Sequence, residues 1–232
     1  MGIVTDEHPG EAPTSVTGRM ATTQRYVLWI AVLASFVAFL DGTIVNVALP
    51  AISEELGGGI TTQQWVVDAY LITLGALILV AGSVSDAYGR VLVLRIGLIG
   101  FGIASLAIAA APTAEFLIVA RGLQGAAGAF LVPSSLALIT SNFSGSAQSR
   151  AIGIWTAMTT SAMIVGPLIG GILVDFVSWR WAFLINVVPI GVTLMLLGRG
   201  GFHDTRHPGA SIDWIGAALC TFGLGGMVYA LI

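Results

Sequence analysis

Residues 26–49 read YVLWIAVLASFVAFLDGTIVNVAL, an apolar run interrupted by a single charged side chain, Asp41. Its length decides the fold class, because a helix needs about 20 mostly apolar residues to cross roughly 30 Å of hydrocarbon at ~1.5 Å per residue. Six more stretches of the same kind follow, at approximately Gln63–Ser83, Val91–Ala111, Phe116–Thr140, Arg150–Val174, Trp181–Gly198 and Ile212–Ile232. All are too long for the ~10-residue strands of an outer-membrane barrel. Backbone facing lipid must satisfy its own hydrogen bonds, and an α-helix does so within one segment. The sequence therefore predicts an all-α integral membrane protein. Composition agrees: the 232 residues are 56% hydrophobic and 9% charged, against about 25% charged in a soluble domain.

Four regions are expected. Residues 1–25, with Asp6, Glu7, Glu11, Pro9 and Pro13, cannot bury enough apolar area to fold and read as a disordered cytoplasmic tail. Residues 26–198 carry six spans, 199–211 form a cytoplasmic loop, and 212–232 form a seventh span at which the sequence stops. Orientation follows from basic residues, which are retained on the cytoplasmic side. Arg19, Arg25, Arg90, Arg95, Arg150, Arg199 and Arg206 fall on the side of the N-terminus, and only Arg180 falls on the other. The N-terminus is expected to be cytoplasmic.

Several chemistries are excluded. The nine basic residues are all arginine, so neither a Walker lysine nor a Schiff-base lysine is available. The lone Cys220 has no internal disulfide partner, and His8, His203 and His207 lack metal-ligand spacing. No metal, no cofactor and no enzymatic activity are expected, since there is no nucleophile elbow and no paired acid–base carboxylates on one helix face. A net charge of −3 argues against a nucleic-acid partner, which would require a basic face.

Charges inside the spans stand apart, because each costs roughly 2.5–3.5 kcal/mol even on the mildest insertion scale. Asp41 is fifteen residues into a span that starts inside, ~22 Å from the cytoplasmic edge. Arg121 is five residues into a span entering from the other side, ~8 Å deep, and Asp68 is at a similar depth on the second span. Three helices are thus expected to bring charge to one level near the outer face. Arg121 never loses its proton and acts as a fixed positive charge and forked donor. Desolvation favours the neutral form of a carboxylic acid and a nearby guanidinium favours its ionised form. That balance suits a proton-coupled carrier. Gln124, three residues after Arg121, shares its helix face.

The run Leu40-Asp41-Gly42-Thr43-Ile44-Val45-Asn46-Val47-Ala48-Leu49-Pro50 resembles the first-span motif of the fourteen-span drug:proton antiporters of the major facilitator superfamily. Three further motifs appear in order. Gly82-Ser83-Val84-Ser85-Asp86-Ala87-Tyr88-Gly89-Arg90 is similar to the loop motif between spans two and three. Arg121-Gly122-Leu123-Gln124-Gly125-Ala126-Ala127-Gly128, ending at Pro133, resembles the fourth-span motif. Gly166-Pro167-Leu168-Ile169-Gly170-Gly171 resembles the fifth-span antiporter motif, followed by Trp179-Arg180-Trp181 and Phe183-Leu184-Ile185-Asn186. The chain departs from the pattern where extra basic residues are usual, at Ser83, Ala87 and Val91, and one additional valine before Pro189 turns that proline by ~100° around its helix.

The resemblance implies a six-span half bundle of two inverted three-span repeats, plus one additional span, in a bacterial-type inner membrane. It also implies export of amphipathic, drug-like compounds in exchange for protons, with the lipid bilayer as surroundings. Asp41 would be the protonation or substrate-cation site and Arg121 its partner, with Asp68, Gln124 and Asn46 nearby. Gly82, Asp86, Gly89 and Arg90 would form a conformational loop. Gly166, Pro167, Gly170 and Gly171 would form a hinge strip. Members of the superfamily place their substrate between two halves, so this chain is expected to lack a C-terminal half. The alternative is a transport-inert fragment or a membrane interaction subunit.

Overall fold

The structure, a computed structural model, describes residues 20–200 and 214–231. The expected tail up to residue 19 and most of the expected loop, residues 201–211, lie outside the described residues, as do the two ends of the seventh span, 212–213 and 232. The described chain forms α1 (Thr22–Leu56), α2 (Gly59–Tyr88), α3 (Arg90–Ala109), α4 (Ala114–Gly128), α5 (Leu131–Asn142), α6 (Gly145–Phe176), α7 (Trp181–Leu184), α8 (Val187–Arg199) and α9 (Trp214–Leu231). Among the described residues, six stretches are long and apolar enough to cross a membrane: α1, α2, α3, Ala114–Asn142, α6 and Trp181–Arg199. The seventh expected span is represented by α9, which lies against α2.

Three differences from the sequence reading have physical causes. Thr22–Arg25, assigned above to the tail, form the first turn of α1, where the Gln24 Oε1 accepts a hydrogen bond from the Ala21 N–H at 3.2 Å. The fourth span is divided at Ala129–Phe130, and the sixth at Ile185–Asn186. In each case the break is at the residues that a downstream proline deprives of a helical donor. Pro133 and Pro189 have no N–H to offer the carbonyls of Ala129 and Ile185, and their rings crowd those same carbonyls. The connection between α2 and α3 is one residue, Gly89, whose φ of 109° is costly for any residue with a Cβ.

α1 runs through the middle of the bundle. It packs most extensively on α6 and also touches α2, α5, α7 and α8, while α4 packs between α2 and α3. Two apolar clusters result. One contains Val27–Ala38 of α1 with Leu94, Phe101, Leu138 and Leu197. The other contains Ile44–Ile52 of α1 with Val66, Leu117, Trp179 and Phe183. Asp41 lies in the gap between them.

The α1–α6 contact depends on small residues. Gly166 and Gly170 are both buried against α1, as residues four apart on one helix face should be. A Cβ on Gly170 would come within 2.8 Å of Ile44 Cγ1 and 3.3 Å of the Ile44 carbonyl, and one on Gly166 would overlap Thr43. Gly171, one residue on and turned away, would meet nothing within 4 Å. Replacing Gly170 with leucine is therefore expected to lower the stability of the purified chain in detergent by ~1–3 kcal/mol, the usual cost of overpacking. The same change at Gly171 should leave the thermal midpoint where it is.

Candidate functional site

The described helices bring four polar side chains together where the two apolar clusters meet. Arg121 of α4 is fully buried, and so are Asp41 of α1, Gln124 of α4 and Asn186 at the α7–α8 break. The Arg121 Nη1 donates to Asp41 Oδ2 at 2.6 Å and to Gln124 Oε1 at 2.5 Å, while its Nε donates to the Val66 carbonyl of α2 at 3.0 Å. The other carboxylate oxygen, Asp41 Oδ1, accepts from Gln124 Nε2 at 2.9 Å and from Asn186 Nδ2 at 2.8 Å. Gln124 Nε2 also reaches Ser105 Oγ of α3 at 2.9 Å. The guanidinium carbon is 4.2 Å from the centre of the Tyr70 ring and 5.8 Å from that of Phe183. Such rings attract the cation through their negative faces.

The Asp41 carboxylate meets a severe requirement. A charge taken out of water persists only if it is paired and its remaining donors or lone pairs are bonded. Asp41 has one oxygen on the arginine and the other on two amides. The guanidinium is held on its edge by a carboxylate, an amide oxygen and a backbone carbonyl, and on its faces by aromatic rings. Five elements contribute: α1, α2, α3, α4 and the α7–α8 segment.

Not every residue expected at this site is there. Asp68 is partly buried on α2 but takes no part in the network. Val66 and Tyr70, one helical turn apart, are the α2 positions that face it, and Asp68 between them is rotated ~200° from either. Its position along α2 is level with these two residues, and its azimuth takes it away from the network. Asn46 is exposed, and its amide bonds to the carbonyls of Gly42 at 3.2 Å and Thr43 at 3.5 Å on its own helix. Asn186, Ser105 and Tyr70 were not foreseen as site residues. Asn186 carried a usable signal, a polar amide inside an apolar span, whereas nothing in the pattern marked Ser105 or Tyr70.

The loop and hinge residues separate similarly. Arg90 pairs with Asp86 one turn earlier, Nη2 to Oδ1 at 3.1 Å, and its Nη1 donates to the Ala137 carbonyl of α5 at 3.1 Å. A side chain at Gly82 would meet no described atom within 4 Å, so Gly82 makes no close helix approach among the described residues. Of the expected hinge strip, Gly166 and Gly170 face α1, while Pro167 is exposed and Gly171 is turned away from it. At the other end of the bundle an unforeseen clamp ties α1 to the segment before α7. Arg180 Nη1 donates to Glu55 Oε1 at 2.6 Å and Nη2 donates to the Ala111 carbonyl at 3.2 Å, while Trp179 Nε1 donates to Glu55 Oε2 at 2.7 Å.

Beside the network is an open cavity of about 340 Å³, almost entirely apolar, between α1, α2, α5 and α6. Phe39, Thr43, Leu71, Val132 and Met163 line it together with Tyr70. Tyr70 thus has one part on the cavity and its ring face on Arg121. Among the described residues no group of three or more His, Cys, Asp or Glu could hold a metal ion.

Removing one partner of a buried ion pair leaves an uncompensated charge and typically costs ~3–5 kcal/mol. Arg121→Leu should accordingly destabilise the purified chain by that order. Asp41→Leu combined with Arg121→Leu should recover most of the loss, a coupling readable by a double-mutant cycle of thermal unfolding in detergent.

Residues 31–231 match the model of the Major Facilitator Superfamily. The chain is 39% identical over 206 residues to the puromycin resistance protein pur8 of Streptomyces alboniger, covering 88% of this chain and 41% of that protein. It is 39% identical to the multidrug efflux pump LfrA of Mycolicibacterium smegmatis, covering 84% of this chain and 39% of the pump. It is 34% identical to the tetracenomycin C resistance and export protein of Streptomyces glaucescens, covering 98% and 42% respectively. The chain therefore spans about two fifths of the length of these relatives. Among solved structures, a peptide transporter matches with a TM-score of 0.70 at 13% identity, over 91% of this chain and 49% of the transporter, a likeness of fold. On the strength of the family match and these relatives, the chain belongs to the Major Facilitator Superfamily.

Proposed function

We propose that the chain is the N-terminal portion of a proton-coupled multidrug efflux antiporter of the fourteen-span type, in which Asp41 is the protonation site. The observation that carries this reading is the buried Asp41–Arg121 pair at 2.6 Å beside an apolar cavity. The relatives that export or resist drugs lend the substrate class, amphipathic organic compounds.

In this scheme the apolar cavity receives the compound, and Tyr70 couples it to the arginine whose ring contact it supplies. A proton arriving at Asp41 neutralises the carboxylate and removes the charge that holds Arg121, leaving the guanidinium on Gln124, the Val66 carbonyl and the aromatic faces. Two charge states of one site thereby favour two helix arrangements, as a coupled carrier needs. The Gly166–Gly170 strip lets α6 move closely along α1, and the Asp86–Arg90–Ala137 contacts act as a latch between the α2–α3 turn and α5. Asn46 and Asp68 have no part in it.

The cavity is open on one side, where Leu71 and Met163 are about half exposed. A second half, as continuation of the polypeptide or as a separate chain, closes it, with α9 belonging to the extra pair of spans between the halves. The N-terminus is cytoplasmic in a bacterial inner membrane, which puts the network nearer the outer face.

In cells expressing the chain together with the remaining spans, Asp41→Asn should abolish pH-driven drug efflux, bringing accumulation to that of cells without the transporter. Efflux at the wild-type rate in that variant would end the assignment of coupling to Asp41.

A further inference from the structure

Asn186 reaches the network from the α7–α8 break. Its side chain is fully buried, its Nδ2 donates to Asp41 Oδ1 at 2.8 Å, and its own Oδ1 is buried without a hydrogen-bond partner. An orphaned buried amide oxygen beside a carboxylate that accepts three hydrogen bonds calls for an explanation, because an unpaired buried acceptor costs of the order of a lost hydrogen bond.

The neighbours of Asp41 supply one. When the carboxylate is ionised it accepts only, and it needs donors. Three surround it: Arg121 Nη1, Gln124 Nε2 and Asn186 Nδ2. Once a proton is bound, one carboxyl oxygen becomes a donor and needs an acceptor. Arg121 has none to offer. Gln124 has an amide oxygen, but Arg121 Nη1 holds it at 2.5 Å, so turning that amide would break a charge-assisted bond and aim an N–H at the guanidinium. The oxygen of Asn186 is committed to nothing. A half-turn of its amide about the Cβ–Cγ bond, broad and roughly two-fold in energy, exchanges donor for acceptor at the same position.

We propose that the Asn186 amide reverses when Asp41 takes up a proton, its nitrogen serving the carboxylate and its oxygen serving the acid. The inference rests on the reading of Asp41 as the protonation site and adds the group that accommodates the proton there. The proton stays on a carboxyl oxygen of Asp41, the Asn186 side chain is neutral throughout, and no covalent bond in it changes. The place of Asn186 in the fold suits the task. It sits at the α7–α8 break set by Pro189, so reversal of its side chain is registered where the sixth span is already divided. The charged and titratable groups that face Asp41 are Arg121 from α4 and Tyr70 from α2. Ser105 of α3 and Asn186 itself do not ionise, and α6 turns glycines toward α1 at this level.

Infrared difference spectra of the purified chain in detergent, taken between high and low pH, test this without requiring transport. A protonated carboxyl band should develop on acidification and be absent in Asp41→Asn, and an amide band should change in step with it. Asparagine labelled with ¹³C in its side-chain carbonyl identifies the band by its isotope shift. Asn186→Leu should lose the amide change and keep the carboxyl band at an altered frequency, since the acid has lost its acceptor. Asn186→Ser, whose hydroxyl both donates and accepts, should restore a hydrogen-bonded carboxyl band without the amide signal and guards against loss of fold in the leucine variant. An Asp41 carboxyl band that develops identically in wild type, Asn186→Leu and Asn186→Ser overturns the role of Asn186 and leaves Asp41 as the proton site. Absence of any Asp41 band across the titration overturns the proton site and the role of Asn186 with it.

Discussion

A charge pair buried away from water must find partners for its donors and lone pairs, and the described bundle is organised around that need. Asp41 and Arg121 are eighty residues apart in sequence, on α1 and α4. Holding them at 2.6 Å requires α1 and α4 at fixed height and rotation. The Val66 carbonyl, Gln124, Ser105 and Asn186 then fix α2, α3 and the sixth span relative to the pair. Five elements are thereby held to the charge pair. The two apolar clusters above and below it pack whatever the network leaves free.

The same pair is poorly suited to be a mere stabiliser. Buried ion pairs are weak evidence for stability, since apolar residues of similar volume often do as well. What a charged site offers is a state that can change when a proton or a cation arrives. The apolar cavity reaches the network through Tyr70, and the interface with α6 is lined by Gly166 and Gly170, which let the two helices approach closely. The ion pairs at the two ends, Asp86–Arg90 at one and Glu55–Arg180 at the other, are partly exposed. They are screened by water and can be exchanged at little cost.

Breaks in the helices carry as much meaning as the helices. Pro133 and Pro189 interrupt the fourth and sixth spans at their i−4 carbonyls, and the second break places Asn186 beside Asp41. Pro50 and Pro167 lie inside α1 and α6, which continue past them. The additional valine before Pro189, noticed in the sequence as a departure in spacing, sets which residue falls at that break. A change in spacing near a helix end thus becomes a change in which side chain reaches the charge.

Hydropathy alone determined that the chain is helical and crosses a membrane, because segment length and the hydrogen-bonding needs of backbone in lipid leave few choices. Depth along a span was equally legible, since the rise per residue is constant, and it was enough to bring Asp41 and Arg121 to one level. The motif residues carried the family. Rotation about each helix axis was decided only in the tertiary structure. At one depth a side chain can point to the centre, to another helix or to lipid, and that direction depends on how all the helices pack at once. It put Val66 and Tyr70 toward the network and Asp68 away from it. It also turned Asn46 aside and brought in Asn186 from a helix break whose position is local but whose partner lies 145 residues away.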